Sequence, residues 1–211
     1  MYVLDKNLSP SSRRNTNALP SNSVLVQEGE KKRTVYFVNE GVLRAFRSFE
    51  DGRRQITHFV FPVDFIGLID GDYYTKSLEA VEPCVLSSFD SGKLDQLFQT
   101  VPDVREEFIK ATREMLRTAN FLQVMLGRLA PIEKVAAFLI YLHQRLSRDH
   151  THVYIPMNRN DIADYLGLTV ETVSRSFTKL RAQGVIKSMD KSSIEICEHS
   201  SLVQIAGIAL G

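Results

Sequence analysis

The chain has 211 residues, 44% of them hydrophobic and 24% charged, with a formal net charge of +1. That composition is ordinary for a globular protein with a core, and the length suits one large domain or two small ones. No apolar run approaches the roughly 20 residues a membrane-spanning helix needs. No apolar stretch follows Arg13-Arg14 either, so neither a membrane partner nor a secretory signal is expected, and the sequence reads as cytoplasmic. A near-neutral total leaves any contact with a polyanion to local charge. Cys84 and Cys197 stand far apart. They suggest neither a disulfide framework nor a thiolate metal cluster, and no cofactor or metal is expected.

Residues 1–22, rich in Ser, Asn and Pro, read as a loosely held arm. From Val24 to Phe89 short apolar stretches alternate with turn signals. Val35-Tyr36-Phe37-Val38 and Val42-Leu43-Arg44-Ala45-Phe46 flank Asn39-Glu40-Gly41, and Asp51-Gly52 marks a hairpin because it supplies the positive φ of a tight turn. Ile56 to Phe61, Phe65 to Gly67, Leu78 to Val81 and Val85 to Phe89 complete a set of strands spaced as in a sandwich or barrel. After Pro102 the pattern becomes helical. Phe108, Met115, Leu122 and Leu129 recur every seven residues, with Met125 beside them. This seam predicts a homodimer formed through Phe108, Met115, Leu122, Met125 and Leu129; the alternative is a long helix lying on its own β domain. Pro131 suits the first position of another helix, whose buried face is Val135, Ala136, Phe138, Leu139, Leu142 and Leu146. A short strand, Val153 to Pro156, follows.

Asn158 then offers an N-cap, with Asp161 placed to reach back to it. Ile162, Ala163 and Leu166 line a short helix that stops at Gly167. Thr169 caps a second helix with inner face Val173, Phe177 and Leu180 and a stop at Gly184. Two short helices joined by a Gly-containing turn form the helix-turn-helix pattern. Val185-Ile186 and Ile194-Glu195-Ile196, joined through Asp190-Lys191, supply a wing. From Val170 to Lys187 the basic side chains Arg175, Lys179, Arg181 and Lys187 stand against the single acid Glu171.

The first turns of a recognition helix reach base edges in the major groove. Thr169, Val170, Glu171, Ser174, Arg175 and Lys179 are therefore the expected DNA-contacting residues. Arg175 can donate twice to guanine, Glu171 can accept from cytosine N4, and Ser174 can bond either partner or touch a thymine methyl. The competing reading of Glu171 and Arg175, at i and i+4, is a solvent-exposed ion pair.

The run Asn160-Asp161-Ile162-Ala163-Asp164-Tyr165-Leu166-Gly167-Leu168-Thr169-Val170-Glu171-Thr172-Val173-Ser174-Arg175 strongly resembles the helix-turn-helix of the Crp/Fnr superfamily. The placing of Glu171, Ser174 and Arg175 is similar to the Fnr/FixK branch. Asp51-Gly52-Arg53-Arg54-Gln55-Ile56 and Phe61-Pro62-Val63-Asp64-Phe65-Ile66-Gly67 are similar to the family's β-roll. The resemblance implies an α+β chain: a cyclic-nucleotide-binding-like jelly roll over 23–100, a dimerisation helix over 101–130 and a winged helix-turn-helix over 131–211. It also implies a homodimer on double-stranded DNA, reading a TTGAT-N4-ATCAA-like palindrome and activating transcription by touching RNA polymerase.

The departures from the family's pattern narrow the signal. Met1 to Ser23 has no cysteine, so no iron–sulfur switch is expected. Gly67 is not followed by Glu, Lys76 stands where an Arg would precede Ser77, and Asp70 and Asp72 would repel a phosphate, so cyclic-nucleotide binding is not expected. Val63 stands where the family usually has Gly.

Three rival readings remain. A ligand- or haem-sensing regulator of the same architecture would use His58 as axial ligand. A cupin-like metalloenzyme would need more than the His150 and His152 pair, so no enzyme is expected. An interaction module without DNA activity would make Arg175 dispensable.

Overall fold

The computed structural model describes residues 14–100, 102–146 and 151–207. The segment 1–13 and the linker 147–150, with His150, lie outside the described residues. Contacts divide the chain into two compact units. The first runs to Arg53 and resumes over Thr57–Arg117; the second takes Arg54–Ile56 and everything from Thr118.

Eight strands precede the helices, all in the first unit except Arg54–Ile56 of β5: β1 (Arg14–Leu19), β2 (Val24–Val26), β3 (Thr34–Glu40), β4 (Leu43–Ser48), β5 (Arg54–Val60), β6 (Phe65–Ile66), β7 (Ser77–Ala80) and β8 (Cys84–Asp90). They form two four-stranded sheets, ordered β1-β8-β3-β6 and β2-β7-β4-β5. Side chains alternate across each strand. On β3, Val38 packs with Leu43, Ala45, Leu78 and Leu86 from both sheets, giving the core between them. Val35 and Phe37, on the opposite face, pack with Phe65, Phe89 and Val104 beneath the helices that follow.

The arm predicted over 1–22 is corrected from Arg14 onward. Residues 14–19 are strand β1, antiparallel to β8, with Leu19 packed on the core. Thr16, Asn17 and Ala18 stay exposed, so an edge strand here is held by its backbone and carries no apolar alternation to betray it.

The Asp51-Gly52 turn forms as its sequence demands: Gly52 has φ 84°, and the Phe49 N–H donates to Arg53 O at 2.8 Å. The turn at Phe61–Asp64 is more demanding. Val63 takes φ 77°, a region that β-branched residues avoid. Its surroundings hold it there: Val63 N–H donates to Val38 O at 2.9 Å, Val38 N–H to Asp64 O at 2.9 Å, and Phe61 N–H to the Asp64 carboxylate at 2.9 Å. An over-determined turn of this kind is how such strain of about 1–3 kcal/mol persists.

A single 3-10 turn (Ser91–Lys93) leads into α1 (Leu94–Thr100), a short helix absent from the sequence reading, and then α2 (Pro102–Arg128). The second unit contains α3 (Pro131–Leu146), β9 (His152–Tyr154), α4 (Arg159–Leu166), α5 (Val170–Ala182), β10 (Ile186–Ser188), β11 (Ser193–Ile196) and α6 (His199–Ala206). Pro131 opens α3 as expected, and the Glu133 carboxylate accepts from Ala130 N–H at 2.7 Å. Lys134 to Leu142 are all buried. No described helix is long and apolar enough to cross a membrane.

Candidate nucleic-acid interface

Local chemistry fixes the two helices that matter. The Asn158 side chain caps α4 by accepting from Asp161 N–H at 2.9 Å, and Gly167 closes it at φ 61°. The Thr169 hydroxyl caps α5 by accepting from Thr172 N–H at 3.2 Å. Gly184, at φ 70°, ends α5 while Val185 N–H donates back to Leu180 O. Ile162, Ala163, Leu166, Val173, Phe177 and Leu180 are all buried, so each apolar face is spent on the unit's own core. Strands β10, β11 and β9 form a three-stranded wing in that order, and its tip is tightened by Asp190, which accepts from Ser192 N–H at 2.7 Å and Ser193 Oγ at 2.7 Å. Those contacts hold the Asp190 carboxyl below its ordinary range.

The opposite face of α5 is open. Thr169, Val170, Glu171, Ser174, Arg175 and Lys179 are all exposed. No ion pair joins Glu171 to Arg175, and among the described residues neither side chain is engaged within the chain. The acid, the hydroxyl and the guanidinium thus lie on one helix face with their hydrogen-bonding capacity unspent.

Two further cations belong to these helices. Arg181 reaches from α5 to Ser188 on the wing at 3.2 Å and to Thr178 at 3.1 Å. Arg159, at the start of α4, stacks 3.5 Å from the Phe177 ring centre; burial and the nearby Arg181 charge lower its pKa. A cation at a helix N-terminus opposes the macrodipole, and the Phe177 ring is the contact that holds Arg159 there.

Asp161 is fully buried, and its carboxylate accepts from Arg54 Nη2 at 2.6 Å. Arg54 Nε also meets Asp164 at 2.6 Å, and Gln55 donates to Asp164 O at 2.6 Å. Burial works against the Arg54 charge, but the bond to Asp164 and the two carboxylates outweigh it and raise its pKa. Sequence reasoning missed this contact because 107 residues separate the partners.

Residues predicted for the dimer seam divide. Phe108 meets Phe65 and Phe98, with ring centres 5.9 and 4.6 Å apart; Met115 lines a cavity of the first unit; and Met125 is fully buried. Those three face their own chain, whereas Leu122 and Leu129 are half-buried. Among the described residues, the large apolar side chains that α2 leaves exposed are Ile109, Leu116 and Val124.

That cavity measures about 30 Å³, with His58, Gly67, Asp70, Lys76, Leu78 and Met115 among its lining, and such a volume holds one or two waters. Lys32 Nζ donates to the carbonyls of Gly67 and Asp70, and the Asp70 carboxylate accepts from Thr75 N–H and Oγ1. Burial, then Lys76, push His58 down to about 4 against the pull of Asp70. The Cys84 thiol is buried, donates to Glu82 O and is pushed up to about 11 by burial and Glu82, which keeps it protonated. Among the described residues no three His, Cys, Asp or Glu side chains cluster as a metal site.

An open, capped helix beside a wing defines a DNA-binding unit of the winged-helix class, here joined to a two-sheet β domain. Residues 133–205 match the Crp-like helix-turn-helix domain family, and residues 16–101 match the cyclic nucleotide-binding domain family. The transcriptional activatory protein AadR of Rhodopseudomonas palustris is 40% identical over 168 residues, 77% of this chain and 69% of that protein. The nitrogen fixation regulation protein FixK of Bradyrhizobium diazoefficiens is 37% identical, over 79% of this chain and 71% of that protein. Among solved structures, FixK2 from Bradyrhizobium japonicum superposes with a TM-score of 0.85 at 30% identity, covering 92% of this chain and 98% of that one. The chain belongs to the Crp/Fnr family of transcription regulators. It is a regulator with a helix-turn-helix DNA-binding domain and not an enzyme.

The second family match implies a cyclic nucleotide in the β domain. The residues present do not fit one: the cavity has room for one or two waters, its floor is tied by Lys32, and Asp70 would face the phosphate.

Proposed function

We propose that the chain binds a TTGAT-N4-ATCAA-like palindrome in duplex DNA as a homodimer, in the cytoplasm, and activates transcription there. The observation that carries this reading is the unspent acid, hydroxyl and guanidinium of Glu171, Ser174 and Arg175 on the open face of α5. Arg175 reads guanine, Glu171 accepts from cytosine and Ser174 bonds or packs alongside. Thr169 and Val170 lie at the entry of the helix. Lys179, Arg159 and Arg181 supply phosphate contacts that set register without carrying sequence.

The homodimer forms along α2 through the outward Ile109 and Leu116, with Val124 near them and the half-buried Leu122 and Leu129 about a third of a turn round the helix. A twofold axis there presents two α5 helices to half-sites one helical turn, roughly 34 Å, apart. Activation follows the role of relatives such as the transcriptional activator protein FnrA of Stutzerimonas stutzeri, and a promoter-bound dimer exerts it by contact with RNA polymerase.

The test is Arg175→Ala, titrated by fluorescence anisotropy against the palindrome. Specific binding should weaken by about 1–3 kcal/mol. On a duplex whose contacted guanine is replaced in both half-sites, wild type and variant should bind alike. Equal loss on both duplexes would make Arg175 a phosphate contact and remove the basis for sequence reading.

A further inference from the structure

Lys134 stands in a place that ordinarily rejects a cation. It lies in the first turn of α3, at the positive end of that helix's dipole, and the residue is only 9% exposed within an otherwise apolar run. Desolvation and dipole both oppose its charge there. What favours it is Leu166 O, to which Nζ donates at 3.3 Å. Leu166 is the last residue of α4, so its carbonyl is one of the helix-end acceptors that lack an intrahelical partner. The very next residues, Gly167 and Leu168, are the turn of the helix-turn-helix, and both donate back to Ala163 O.

The other end of α4 is held with the complementary sign. The Asp161 carboxylate sits in its first turn and is bound by Arg54, in the same unit. Both poles of the helix that precedes the reading helix are therefore gripped by cations from outside the helix-turn-helix.

We propose that Lys134 is a positioning residue for DNA reading: its ammonium fixes the carbonyl end of α4 and thereby the direction in which α5 leaves the turn. It touches no DNA itself, being buried. Packing would be served as well by an apolar side chain of similar length, since replacing buried charge by well-packed apolar groups is often neutral or stabilising. The fold and the aim of α5 therefore respond differently to its removal.

The experiment compares wild type, Lys134→Met and Lys134→Arg, with thermal midpoints by circular dichroism and affinities for palindromic and scrambled duplexes across a salt series. In Lys134→Met the midpoint should move by only a few degrees. Affinity for the palindrome should fall by about tenfold, as a misplaced contact surface loses its complementarity. Binding to the scrambled duplex and the slope against salt should stay unchanged, because both report phosphate contacts. Lys134→Arg, which keeps a donor for Leu166 O, should restore most of the discrimination.

Four results would overturn the proposal: an unfolded Met variant, unchanged palindrome affinity, a parallel loss on both duplexes, or no rescue by Arg. The inference rests on α5 as the reading element, and the two fail distinguishably. If that reading is wrong, the wild type itself does not discriminate; if only this proposal is wrong, wild type and Met variant discriminate equally.

Discussion

Arg54→Ala should destabilise the C-terminal unit by about 3 kcal/mol, the loss expected when one partner of a buried ion pair is removed. The reason is asymmetry in exposure. The Asp161 side chain is 0% exposed, whereas Arg54 retains 28%. Deleting the guanidinium removes a cation from a fully buried carboxylate, whose charge the N-terminal dipole of α4 still favours. The partial exposure of Arg54 and Asp164 trims the expected loss toward the lower end of the range for buried pairs, 3–5 kcal/mol. In a chain of this size it corresponds to a fall in melting temperature of roughly 6–12 °C. Circular dichroism melting would show it. The double variant Arg54→Met with Asp161→Asn should recover part of the loss, because the buried side chain is then neutral. A single variant as stable as wild type would mean that Asp161 draws its compensation from elsewhere in the unit.

Leu116→Asp should have the largest effect on DNA binding while leaving the folded chain intact. Leu116 is 62% exposed, so the substitution removes little from the core of the chain itself. In a twofold dimer the same position meets its symmetry mate or close neighbours, so two carboxylates enter an apolar seam together. Sedimentation at micromolar concentration should show monomer instead of dimer. Affinity for the palindrome should fall by about a hundredfold or more, since the second half-site then loses the effective concentration supplied by the first. An unchanged dimer would place the interface elsewhere than on the outward face of α2.

The DNA-binding unit was legible in the sequence because its determinants are local. Asn158, Gly167, Thr169 and Gly184 mark helix ends through bonds within four residues, and the inner faces follow the helical period. The Asp51-Gly52 hairpin and Pro131 at the head of α3 were legible for the same reason. Strand β1 was not, because Arg14–Leu19 earns its conformation from β8, some seventy residues downstream, and shows the polar composition of an arm. Helix α1 is a single short element between two stronger signals. A seven-residue repeat of apolar side chains on α2 looks alike in sequence whether it packs on its own domain, as Phe108 and Met115 do, or turns outward, as Ile109 and Leu116 do. Arg54 and Lys134 were invisible for a third reason. Both act on α4 from distant positions, and a cation in sequence gives no hint of the partner it meets.

The β domain carries a related lesson. Its strand pattern matches a nucleotide-binding family, yet the polar groups that line its cavity are engaged or neutral, with His58 held neutral above about pH 4 and Asp70 bound by Thr75. Fold and ligand are separable, and only the side chains of the site speak to the second.

The most direct test is anisotropy of the unaltered protein on two duplexes of equal length, one bearing TTGAT-N4-ATCAA and one with both half-sites scrambled, at about 150 mM salt. Specific regulators prefer their sites by about a thousandfold or more, and that preference is the result predicted here. Equal affinity for the two duplexes would contradict the claim that Glu171, Ser174 and Arg175 read bases.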